Sequence, residues 1–239
     1  MAAPCPHVLL LLSLLLGLSA GCSGNLEPDR MDMLFTFDSD TEGWSGGFTD
    51  LAPGQVDDVG FVFEHRALPA ETGLQGGALF VSGRNVSDDL FMFLAYPVTG
   101  LLPETSYSLT FELELASNAP SGCVGIGGAP GESVYLKAGG AVQQPGRVTA
   151  SSGNLRLNMD KGEQSTSGAN ALMVGDIANG AMDCDAPVYR QISRDNRANP
   201  LRITSDSQGA LWLLVGTDSG FESTTALYYD SIRVTLEST

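Results

Sequence analysis

Ser106–Ala116 reads SYSLTFELELA. Tyr107, Leu109, Phe111, Leu113 and Leu115 fall on one face, and Ser108, Thr110, Glu112 and Glu114 on the other. Strict alternation over this length predicts a strand with one buried and one wet face. A helix would scatter the same residues around its circumference. One strand is not stable alone, so the rest of the chain must supply a sheet and a second apolar layer.

Upstream, Leu90–Val98 (LFMFLAYPV) is almost wholly apolar, the pattern of a strand covered on both faces. Met33–Asp38, Gly60–His65 and Ala78–Ser82 predict earlier strands, separated by turn-rich segments such as SDTEGWSGG. Downstream, Leu201–Thr204, Ala210–Gly216 (ALWLLVG) and Ala226–Leu236 (ALYYDSIRVTL) predict the closing strands. The middle, Ser117–Pro200, is rich in Gly, Ser, Asn and Ala. Its shorter strand candidates are Ser133–Ala138, Leu155–Asn158, Ala171–Ile177 and Val188–Ile192. Many short strands with Gly/Asp turns and no long helical period predict an all-β fold. We expect an antiparallel β-sandwich or jelly roll over 33–239, with an elaborated insertion at about 117–200.

The 239 residues are 43% hydrophobic, enough for one large domain. Twelve Lys and Arg against 28 Asp and Glu give a formal net charge of −16. Nucleic acid and anionic membrane surfaces are therefore poor partners, whereas cations (Ca²⁺ above all) and neutral ligands stay open. Val8–Leu18 is an apolar run too short for a membrane span of ~20 residues, and Ser19, Ala20 and Gly21 follow it. Residues 1–21 thus read as a signal peptide and 22–32 as a polar tether.

LSAGC, ending at Cys22, resembles the lipobox of bacterial lipoproteins. The resemblance implies a lipidated Cys22 and an outer-membrane or cell-surface lipoprotein, touching the membrane only through that anchor. Simple cleavage after Ala20 implies a periplasmic or secreted protein instead. Cys5 leaves with the signal, and Cys22 is taken if lipidated. Cys123 and Cys184 then remain as one pair in an oxidising compartment, which predicts a disulfide.

FDSDTEGW (37–44) and LYYDSIRVTL (227–236) resemble the ends of carbohydrate-binding modules of the galactose-binding-like jelly-roll class. By that resemblance Asp230, with Asp38 or Asp40, would hold a structural Ca²⁺. Counted by twos, the last strand also turns Asp230 inward with Tyr228, Ile232 and Val234, where a lone carboxylate must be paired or bound. For a glycan, Trp212 offers a stacking surface, and Asn85, Asp88 and Asp89 form a polar loop before Leu90–Val98.

Chemistry is less legible. GWSGG (43–47) satisfies G-x-S-x-G but lacks the following helix, and only His65 remains as a base. DSDTEG imitates a calcium loop, yet its twelfth position is Thr49. Glu112 and Glu114, two apart on a wet face, have a separation that would suit glycoside hydrolysis. YLKAG (135–139) resembles a strand of jelly-roll alginate lyases, while Lys137 otherwise reads as a surface charge. The leading expectation is an exported, non-catalytic module that binds glycan. A jelly-roll polysaccharide lyase or glycoside hydrolase is the first alternative, and a structural surface protein the second.

Overall fold

A computed structural model describes residues 29–239; the expected signal peptide and Cys22 lie outside that range. The first strands are β1 (Arg30–Phe35), β2 (Ser45–Thr49), β3 (Val62–Ala67), β4 (Gly77–Arg84) and β5 (Leu90–Val98). The middle carries β6 (Ser106–Ser117), β7 (Val134–Ala141), β8 (Arg147–Thr149), β9 (Leu155–Leu157) and β10 (Ala171–Asp176). The chain closes with β11 (Arg190–Asp195), β12 (Leu201–Thr204), β13 (Leu211–Ser219) and β14 (Thr224–Ser238).

These strands make an antiparallel β-sandwich. One sheet runs β11-β6-β14-β4-β3, with β12 extending the β6 edge and β1 beside β14. The other runs β10-β7-β13-β5-β2. The β6 alternation works as its sequence requires: Tyr107, Leu109, Phe111, Leu113 and Leu115 are fully buried between the sheets. They meet Leu90, Met92 and Leu94 of β5 and Leu211, Leu213 and Val215 of β13 in one apolar core. Trp44 closes it, edge-on to Phe35 at 5.3 Å.

Four readings change. Residues 117–200 are woven into the sandwich rather than appended, since β7 and β10 join one sheet and β11 the other. What lies outside the two sheets is the β8–β9 hairpin with the loop to β10, and the disulfide-bearing segments 118–133 and 177–189. The tether gives way to β1 at Arg30. Ser45–Gly47, expected within the turn SDTEGWSGG, form an edge strand with Phe48 and Thr49. A Cβ at Gly46 would stand 2.5 Å from the Phe63 ring, so only glycine lets the strand lie that close.

The fourth change concerns Asp230. β14 pairs with β6 in one register up to Tyr229 and in a shifted one from Ser231, which makes Asp230 an unpaired bulge residue. The bulge reverses the count by twos. Tyr229 points into the core, while Tyr228 lies outside, 4.8 Å from the Phe80 ring. Asp230 is therefore half-buried at a kink and does not stand among inward Ile232 and Val234.

Candidate functional site

The outer face of the β13 sheet is covered. Phe91, Phe93 and Ala95 of β5 and Leu214 of β13 face away from the core, yet Leu157 and Met159 pack onto them. This cover explains why β5 is apolar on both faces. Beneath it lies a buried charge network that strand patterning alone reads as wet surface.

Asp218 of β13 and Lys137 of β7 have no exposed side-chain surface, so Lys137 is not the surface charge that its sequence context suggested. Lys161, from the covering loop, donates to Asp218 Oδ2 at 2.6 Å, and Gln164 N donates to the same oxygen at 2.8 Å. Lys161 Nζ also stands 2.8 Å from Asp50 Oδ2. Lys137 Nζ donates to Thr166 O at 2.6 Å and lies 3.9 Å from Asp218. Arg156 bridges Asp89 and Asp50.

Burial pushes the Asp218 carboxyl up, with Lys161 pulling against it. Burial, then the charge of Asp50, push Asp89 up to about 6. Burial brings Lys137 down to about 8. It also works against the charge on Lys161, but Asp218 and Asp50 outweigh it and hold that ammonium above its usual range.

Asp50, Asp89 and Asp218 offer carboxylate oxygens within 4.8 Å of one another, a spacing that could hold a metal ion. The Lys161 ammonium already bridges two of them. With Lys137 and Arg156, three cations face three carboxylates, so the residues fit an internal ion-pair network better than a metal ion.

A cleft of about 500 Å³ opens at the edge of this face. Gly140, Ala141, Gln143, Met159, Asn170 and Arg202 are among its lining residues. Trp212 sits directly across the strand pair from Ala141 and packs with Met159 against the outer apolar cluster. The side chains of Gln143 and Arg202 are exposed.

The remaining sequence candidates do not converge there. Trp212 opposes Pro97 near one end of β13, while Ser219 at the other end opposes Leu90. Seven strand rises, ~23 Å, therefore separate Trp212 from the loop of Asn85, Asp88 and Asp89. Asn85 is buried and its amide is used internally, donating to Ser219 O at 2.8 Å and accepting from Ser87 N at 3.1 Å. It pins a turn. Asp88 is exposed, its carbonyl accepting from Gln164 Nε2, and Asp89 belongs to the ion network.

Asp40 Oδ1 accepts from Glu42 N, and Asp38 Oδ2 from the Thr36 hydroxyl. Burial, then Glu114 and Asp38, push the Asp230 carboxyl up. On the wet face Glu112 pairs with Arg197, and Glu114 accepts from Ser193 and Gln191. Cys123 and Cys184 are joined in a disulfide.

No family model and no curated protein matches the chain. Among solved structures it is similar to a mannan-recognising carbohydrate-binding module, at 15% identity and TM-score 0.38, over 86% of this chain and 97% of that one. The family 11 carbohydrate-binding module of a Clostridium thermocellum cellulosomal cellulase aligns at 8% identity and TM-score 0.39, over 87% and 95%. An adhesin domain of Lys-gingipain from Porphyromonas gingivalis aligns at 10% identity and TM-score 0.39, over 85% and 97%. The solved structures it is similar to thus include β-sandwich carbohydrate-binding modules.

Proposed function

We propose that the chain is an exported, non-catalytic β-sandwich that binds a glycan in the cleft beside Trp212. The cleft itself carries the reading. It sets the planar polar groups of Gln143, Asn170 and Arg202 around Met159, and Trp212 stands next to it, paired across from the lining residue Ala141 and packed with Met159 on the same outer cluster. A sugar ring presents hydroxyls that match such donors and acceptors, and C–H faces that match an indole. Trp212→Ala is expected to weaken binding roughly 30-fold, the equivalent of about 2 kcal/mol. Arg202→Ala, on an exposed side chain, should weaken it less and melt like wild type, whereas Trp212→Ala gives up packing against the outer cluster and should melt lower, so its affinity is read well below its melting temperature. A glycan array followed by calorimetry reads this, with a reducing-end assay on the bound polysaccharides. Unchanged affinity in both variants rejects the cleft, and release of reducing ends favours an enzyme.

Structural Ca²⁺ at the Asp230 bulge belongs to the same reading. It is supported by the crowding of Asp230 with Glu114 and Asp38, which a hard dication would offset. At a hundredfold excess over Kd such an ion would raise the melting temperature by very roughly 5–11 °C. Chelation should remove that increment from wild type and leave Asp230→Asn unaffected. A wild-type melt indifferent to chelator, with no ion retained by the protein, removes calcium from the account.

A further inference from the structure

We propose that Lys161 and Asp218 condense inside the folded chain into a side-chain amide bond that ties the covering loop to β13. The fold holds the reactants in place. Lys161 Nζ lies 2.6 Å from Asp218 Oδ2, and the two side chains are 7% and 0% exposed. Hydrogen-bond contact with a carboxylate oxygen sets the amine about 3–3.5 Å from the carboxyl carbon, a near-attack separation.

The surroundings supply what the reaction needs. Asp50 Oδ2 touches the same nitrogen at 2.8 Å, on a side chain 2% exposed. The Phe91 ring lies 4.9 Å from that nitrogen, and Phe93 and Leu214 belong to the same apolar cluster. Asp218 and Asp50 hold Lys161 as an ammonium, so before attack its proton must pass to the Asp218 carboxylate, whose proton affinity burial raises, leaving two neutral groups.

The amine then attacks the carboxyl carbon. Charge developing on the carboxyl oxygens faces the Lys137 ammonium, 3.9 Å away, and the Gln164 N–H at 2.8 Å. Asp50 takes a proton from nitrogen and returns it to the departing oxygen. One C–N bond forms and one C–O bond breaks. Two of the three ammonium protons leave with a carboxylate oxygen as water, and the third stays on the amide nitrogen. No oxidant, cofactor or other reactant is required.

The experiment is a peptide map of the full chain after reduction of its disulfide. Trypsin should leave peptides 157–190 and 203–233 joined, uncut after Lys161 and lighter than their sum by one water. Lys161→Arg cannot form this bond and marks the unlinked pattern. Asp50→Asn, checked for its fold by circular dichroism, should lose the joined peptide and release 157–161, 162–190 and 203–233 separately. Wild type that yields only the separate peptides overturns the proposal. A fully linked Asp50→Asn overturns the mechanism given to Asp50.

Discussion

Replacing Lys161 by methionine is expected to lower stability at pH 7 by about 3–5 kcal/mol, the cost of leaving a buried carboxylate without its partner. Lys161 is the closest cation to both Asp218 and Asp50. Without it, Asp218 keeps only Lys137 at 3.9 Å, and Asp50 only Arg156 at 3.5 Å. For a domain near 200 residues the loss corresponds to a melting shift of about 6–20 °C.

The pH dependence has a definite sign. Asp218 is already pushed up by burial, and removing Lys161 takes away the strongest influence holding it down. A carboxyl whose folded pKa exceeds its unfolded one contributes stability below the unfolded value and loses it as pH rises through the folded value. The variant should therefore recover part of its deficit between pH 7 and 5. Asp89, at about 6, contributes in the same direction in both proteins. Adding Asp218→Leu to Lys161→Met should restore more stability than acid does, because no buried charge remains on β13 to neutralise. Melts of the two variants at pH 7 and 5 check this. A single-variant loss below about 1 kcal/mol would show Lys161 to be dispensable. If wild type carries the Lys161–Asp218 amide, the deficit of the variant includes the lost crosslink, and the peptide map separates the two cases.

Converting both Cys123 and Cys184 to serine is expected to cost about 4 kcal/mol. The bond closes a loop of sequence separation 61, and its chain-entropy value grows with the logarithm of that length. It ties the exit of β6 to the approach of β11, and between them the chain crosses from one sheet to the other and back. Cys184 is exposed, so serine fits there without a cavity. The double variant, and wild type under reductant, should melt about 8–16 °C lower. Unchanged melting in both would mean that the enclosed strands hold their own ends.

Most strands were legible because their alternation is local. Leu90–Val98 even announced that something must cover the outer face of its sheet. What the pattern could not supply was the identity of the cover. Lys137, Lys161 and Asp218 are far apart in sequence, and a charge at an outward strand position reads as solvated until a loop closes over it. The signal available was their company, since Asp218 lies across from Phe91, on a strand whose outward face is apolar. Ser45–Thr49 escaped because glycine has poor strand propensity, and its fit against Phe63 is a tertiary matter. At Asp230 one extra residue inverted the phase, and nothing local in LYYDSIRVTL marks where the count slips.

The order of the first sheet bears on how this chain avoids its own kind. Its outermost strands are β1 and β3 on one side and β11 with β12 on the other. They carry Arg30, Arg66, Arg190, Arg194 and Arg202, five of only twelve basic residues in an otherwise acidic protein, with Asp32, Glu64 and Asp195 beside them. Two molecules meeting edge to edge would have to strip water from these charged side chains along the very backbone that offers unpaired hydrogen-bonding groups. Exposed charge of both signs thus sits where sheet growth would start, so the open rims of this sheet are poor templates for aggregation.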